Sequence, residues 1–217
     1  MRSRLILFSI LALAAQAEII DRIAVSVGTQ VITEDQINDE IRVTAFLNHE
    51  KADLGAAEKK QAAERLVEQT LIRREMRLTH YPVPPISAAD DSVKDVEAQY
   101  PNHQAFLKAL QEYGIDENDL RQHLWWQLTL LKFIDERFRP TVQLTNPEIR
   151  QHYREQVEKW RQQGVSPIPT YEQSRSAMEK ALSEERVDQA LDRWLGDART
   201  QVDIKYRKEA LRSEGSQ

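Results

Sequence analysis

Apolar and polar positions change period along this chain, and each change marks an element. Ile23, Val25 and Val27 alternate with Ala24 and Ser26, the period-two pattern of a half-buried strand. Gly28-Thr29-Gln30 carries turn chemistry and Val31-Ile32 begins a return, so residues 20–32 read as a hairpin. Beyond it the period lengthens to that of a helix. Helices are predicted over residues 34–48, 56–78, 87–99, 104–112, 117–138, 147–163 and 171–200. In the second, Ala63, Leu66, Val67, Leu71 and Leu78 form one stripe. Pro82, Pro84 and Pro85 end it, because proline has no amide to donate and crowds the preceding turn. Ser87 is expected to cap the third helix and Gly114 to close the fourth in the left-handed conformation. Pro140 stops the fifth, and Pro147 opens the sixth at a position that needs no donor.

One helix-start signature recurs. It is Ile32-Thr33 with Gln36-Ile37, Ile115-Asp116 with Asp119-Leu120, and Leu144-Thr145 with Glu148-Ile149. In each, a polar residue can cap the helix while a polar side chain three residues on reaches back, and flanking apolar residues close a staple. Asp119 is the shortest of the three returning side chains, so the middle copy is expected to be the weakest. Thr170 can cap the last helix. After it, Val202, Ile204 and Tyr206 alternate as a closing strand. A lone strand would leave backbone groups unsatisfied, and the N-terminal hairpin is the partner at hand. The expected fold is therefore mainly α: a helical core with a small sheet made by the N-terminal hairpin and the C-terminal strand. Residues 210–217 are expected to fray.

The first residues read as an address. Arg2 and Arg4 precede an apolar run over residues 5–14, and Ala15-Gln16-Ala17 fits a small-x-small cleavage site. The run is well short of the roughly 20 apolar residues a membrane span needs. Residues 1–17 are thus expected to be a signal peptide cleaved after Ala17, with the mature chain exported from Glu18 onward. The sequence has no cysteine, which excludes disulfides, thiol nucleophiles and cysteine-held metals. The formal net charge is −5, so there is no basic footprint for nucleic acid. None of the five histidines pairs with another at metal-binding spacing, and no P-loop, dinucleotide fingerprint or nucleophile elbow is present. No cofactor or metal is expected.

The informative feature is an excess of apolar residues over 117–138. Leu120, Leu124, Trp125, Leu128 and Leu131 form one stripe, and Trp126, Leu130, Phe133 and Ile134 form another beside it. Together they exceed the apolar arc of a surface helix. Either neighbours cover this helix on most sides, or part of the arc lines an open groove for apolar chains. Trp125, Trp126 and Phe133, with Met76 as an adaptable neighbour, are the candidate peptide contacts.

Read in order, these segments resemble the SurA-like family of periplasmic chaperones. The similarity runs through Ile20 to Gly28 into Val31 to Ile37, then Arg65 to Ile72 with Glu75. It continues through Phe106-Leu107, Leu110, Gly114-Ile115, Leu120-Arg121 and Leu124, then Leu144-Thr145, Glu148-Ile149 and Tyr153. It closes on Arg193-Trp194-Leu195, Ala198-Arg199 and Val202-Asp203-Ile204. Two departures stand out. Relatives carry parvulin prolyl-isomerase domains, roughly 90 residues each, where this chain has only the linker 164–169. They also have a short glycine-containing turn where this chain has Tyr81-Pro82-Val83-Pro84-Pro85. The resemblance implies a chaperone core over residues 18–163, completed by residues 170–209, without isomerase activity. It further implies an ATP-independent holdase for unfolded, aromatic-rich segments of outer-membrane proteins. Two other readings stay open: a structural or assembly protein serving one dedicated envelope partner, and an enzyme of unrecognised activity.

Overall fold

The structure, a computed structural model, describes residues 21–212. The signal segment 1–17 and the end of the tail, residues 213–217, lie outside the described residues. The hairpin is β1 (Ile23–Val27) and β2 (Gln30–Thr33). Helices α1 (Glu34–Asn48) and α2 (Ala56–Leu78) follow. After a proline-rich crossing and a short 3-10 turn (Ile86–Ala89) come α3 (Asp90–Glu97), α4 (His103–Tyr113) and α5 (Glu117–Arg137). A second 3-10 turn (Arg139–Thr141) leads to α6 (Asn146–Gln162), α7 (Tyr171–Thr200) and β3 (Ile204–Tyr206). The chain is mainly α with a three-stranded sheet of order β2-β1-β3.

Both ends of the chain meet in that sheet, all antiparallel, with Val25 opposite Ile32 on one side and Tyr206 on the other. The Gly28 amide donates to the Asp203 carbonyl at 2.9 Å. Gly28 has φ +59°, and a Cβ there would lie 3.2 Å from Val202 Cγ1, so the turn accepts glycine alone without strain. The strand alternation is imperfect. Ala24 is fully buried and Ile23 is exposed, because the register slips between Ile23 and Val25 and such a slip reaims side chains locally.

The repeated helix starts form as capping boxes at Thr33/Gln36, Asp116/Asp119 and Thr145/Glu148, and a further one forms at Thr170/Gln173. The middle copy is not the weak one: both of its bonds measure 2.9 Å. Other expectations need correcting. Leu78 stands in solvent at 64% exposure, and Ala62, Ile72 and Met76 occupy the buried face of α2 instead. Ser87 caps nothing, since the 3-10 turn carries the chain into α3 with no side-chain cap. The tail does not fray at once: Ala210 is buried, and the Arg212 carbonyl accepts from Lys59 Nζ at 3.3 Å.

Three apolar clusters result. The largest joins the sheet, α1, α2, α5 and the second half of α7. A second, around Phe46, Phe106 and Leu120, ties α3 and α4 to α1 and α5. In the third, Ile149 packs on Met178 and Leu182, so α6 and the first half of α7 form an antiparallel pair with its own small core. The six-residue linker closes this pair, where the Tyr153 hydroxyl donates to the Pro169 carbonyl at 2.8 Å. The second half of α7 is fastened to α2 by Arg199, which reaches Glu64 and Glu68 at 3.0 Å each.

Candidate functional site

The proline-rich segment lies across α5. Proline locks the backbone here and denies it helix bonds, so between the Tyr81 amide, which donates to the Met76 carbonyl, and the Pro85 carbonyl, which accepts from the Ala88 amide, side chains must hold it. Trp125 does this: its indole Nε1 donates to the Pro84 carbonyl at 2.9 Å. Tyr81 turns inward and meets Phe133 edge-on, with ring centres 5.3 Å apart. Burial, and then the Glu136 carboxylate beside it, push the Tyr81 phenol up to about 12, so it is neutral at any ordinary pH.

Between this segment, α2 and α5 lies a hollow of about 320 Å³. Its walls are Met76, Tyr81, Val83, Trp125, Trp126 and Thr129, with Arg73, Arg77 and His80 at its edge. That volume falls at the small end of ligand pockets. Val83 and Ile86 flank Pro84 and are exposed, as are Leu128 and Leu131 further along α5. The apolar arc of α5 is therefore divided. Leu120, Leu124, Trp126 and Phe133 are core, whereas Leu128 and Leu131 face solvent.

The four residues singled out by sequence do not play equal parts. Met76, Trp125 and Trp126 share the wall of the hollow. Phe133 is not on it; at 1% exposure it stands behind Tyr81 and supports that ring. Met76 and Trp126 are themselves buried, at 3% and 4% exposure, and present only an edge to the hollow. Trp125 is the half-buried member.

Arg73, Arg77 and Trp126 also line a second, more polar hollow of about 390 Å³, walled by β2, α1, α2 and α5. The Arg73 guanidinium lies over the Trp126 ring, 3.9 Å from its centre, so one arginine–tryptophan contact forms the partition between the two spaces. Asp39, Glu40, Asp119 and His123 line the second hollow too. Burial drives the Glu40 carboxyl upward, but His123 at 3.4 Å and Arg65 at 3.2 Å outweigh it and hold it below the usual range. Burial raises Asp39, with Asp119 adding to the effect and Arg42 opposing it.

The chain matches no protein-family model and no curated protein. The site therefore stands on its own geometry. Among the described residues no group of three acidic or histidine side chains is placed to hold a metal ion. No helix of the described residues is long and apolar enough to cross a membrane. Sequence reading missed the two arginines, Tyr81 and Val83. A signal for the arginines was present: Arg73, Arg74 and Arg77 form a local basic run on one helix of an acidic chain.

Proposed function

We propose that this chain is an ATP-independent holding chaperone of the periplasm, related to the SurA-like family, that binds unfolded outer-membrane proteins. The observation that carries the reading is a hollow walled by Met76, Tyr81, Trp125, Trp126 and the exposed Val83, with Ile86 of the same segment and Leu128 of the same helix also exposed. Large apolar side chains left exposed beside such a hollow are what an interaction site presents. An extended segment with an aromatic or large aliphatic side chain can insert that side chain between Met76, Tyr81 and Trp125. The rest of the segment would lie along α5 toward Leu131. Occupancy lowers the free unfolded population by mass action alone. The net negative charge keeps the protein itself soluble while it displays this surface.

The test is aggregation measured by light scattering. An unfolded outer-membrane β-barrel protein is diluted from urea, without nucleotide, in the presence or absence of the purified protein. Suppression is expected near stoichiometric ratio, and Trp125→Ala or Val83→Ser should weaken it while circular dichroism stays helical. No suppression at several-fold excess of a folded protein overturns the reading in favour of a single dedicated envelope partner. The same reading expects a protease-coupled proline-peptide assay to run at its background rate.

A further inference from the structure

The charges around the partition do not balance. Of the carboxylates lining the polar hollow, Asp39 pairs with Arg42 at 3.3 Å and Glu40 with Arg65 and His123, while Asp119 accepts from the Asp116 amide at 2.9 Å and has no cation within ion-pair distance among the described residues, one free anion against two arginines. Glu75, the acidic residue between the two arginines in sequence, faces Arg137 at 3.8 Å. Arg73 and Arg77, one turn apart on α2, have no carboxylate within ion-pair distance among the described residues, and neither side chain makes a hydrogen bond there. Arg73 is half-buried against the indole. Burial, and then the repulsion of Arg77, lower its pKa from the ordinary arginine value, and the guanidinium stays a cation.

A second observation points the same way. Trp126 is 4% exposed and its Nε1, a donor only, is buried without a partner. Native proteins leave few such donors unpaired. The unsatisfied indole lies under the guanidinium that has no anion, at the junction of the two hollows. A half-buried cation beside a second cation is costly until an anion arrives. An arginine engages carboxylates with strong, directional hydrogen bonds.

We infer that this junction is the anchor for the C-terminal carboxylate of a bound chain, with the last side chain, aromatic or large and aliphatic, in the apolar hollow beside it. The inference rests on the peptide-holding role proposed above and names the part of the client that is held. A chain end fits better than an internal acidic residue for a steric reason. In a terminal residue the carboxylate and the side chain leave the same Cα. Arg73 and Arg77 border both hollows, so one terminal residue can meet the cations and fill the apolar space together. An internal Asp or Glu must spend its own side chain on the arginines and rely on a neighbour for the hollow.

The experiment is fluorescence anisotropy with a labelled decapeptide ending in Phe, compared as free acid and as C-terminal amide, with the purified protein. The free acid should bind at least tenfold more tightly, and the difference should shrink as salt is raised. Arg77→Gln, at an exposed position, and Arg73→Gln should each weaken the acid severalfold more than they weaken the amide. Equal affinity for acid and amide, or equal loss of both in the arginine variants, overturns the anchor. So does failure of the free acid to bind at all. The aggregation assay separates these results from the parent reading: a protein that suppresses aggregation yet ignores the carboxylate is a holdase without this anchor.

Discussion

Arg73 and Trp126 are stacked, guanidinium over indole at 3.9 Å, and this contact is the shared wall of the polar and the apolar hollows. One ring thus belongs at once to the core and to the candidate site. Trp126 packs within the main cluster with Phe133 and Phe138, while its neighbour Trp125 fastens the proline-rich segment from outside. Adjacent tryptophans on one helix point about 100° apart, which is why they serve different purposes.

This division predicts different penalties. Trp126→Ala should cost about 3–5 kcal/mol in urea unfolding, the range for large aromatic side chains in cores. Trp125→Phe should cost only about 1 kcal/mol, chiefly the hydrogen bond to Pro84. It should also raise hydrogen exchange in the segment from Tyr81 to Ile86 more than anywhere else. Equal penalties would mean that the two rings share one environment.

Lys59 and Glu34 form a buried ion pair at 2.6 Å, with the lysine 1% exposed. The Lys59 ammonium also donates to the Arg212 carbonyl, so it ties α1 and α2 to the end of the chain. Glu34→Gln or Lys59→Ala alone should cost about 3–5 kcal/mol, because each strands a buried charge or its partners. Lys59→Met and Glu34→Leu together should cost far less than the sum of Lys59→Met alone and Glu34→Leu alone, as a double-mutant cycle in denaturant would read.

Glu40 gives the fold an acid-sensitive point. Its carboxyl titrates below its unfolded value of 4.5 because His123 and Arg65 outweigh burial. Its contribution is therefore fully present above about pH 4.5. It is lost as pH falls through the lower folded value, when the protonated acid no longer attracts its partners. Glu40→Gln should lower stability at pH 7 and flatten the acid limb below pH 4.5. Thermal unfolding at several pH values checks this, and an unchanged acid limb would rule Glu40 out.

Two left-handed positions should respond in opposite directions. Gly28→Ala adds backbone strain and presses on Val202, and should destabilise by about 1–2 kcal/mol. His49 ends α1 at φ 55° with an exposed side chain. His49→Gly should stabilise by about 0.5 kcal/mol, the relief of left-handed strain less the added unfolded-state entropy. Melting temperatures of the two variants should fall on either side of the parent.

What the sequence determined by itself was local. Most helix bounds and the capping boxes were legible because a side chain three residues away makes or breaks them, as at Thr33/Gln36 and Thr145/Glu148, whereas the cap expected at Ser87 did not form. The pairing of the two chain ends was legible too, because a strand without a partner leaves unsatisfied amides. Tertiary structure decided what periodicity leaves open. Lys59 sits among polar residues yet is buried, since a partner 25 positions away in sequence neutralises it. Leu78 continues an apolar stripe yet meets solvent, since what covers a helix end is decided by other elements and not by its own periodicity. The tryptophan pair was legible as a pair, but which ring is core and which is clasp depended on where Pro84 crosses α5. The uncompensated arginines belong wholly to the tertiary structure, because a missing partner is a property of the space around a charge and of no stretch of chain.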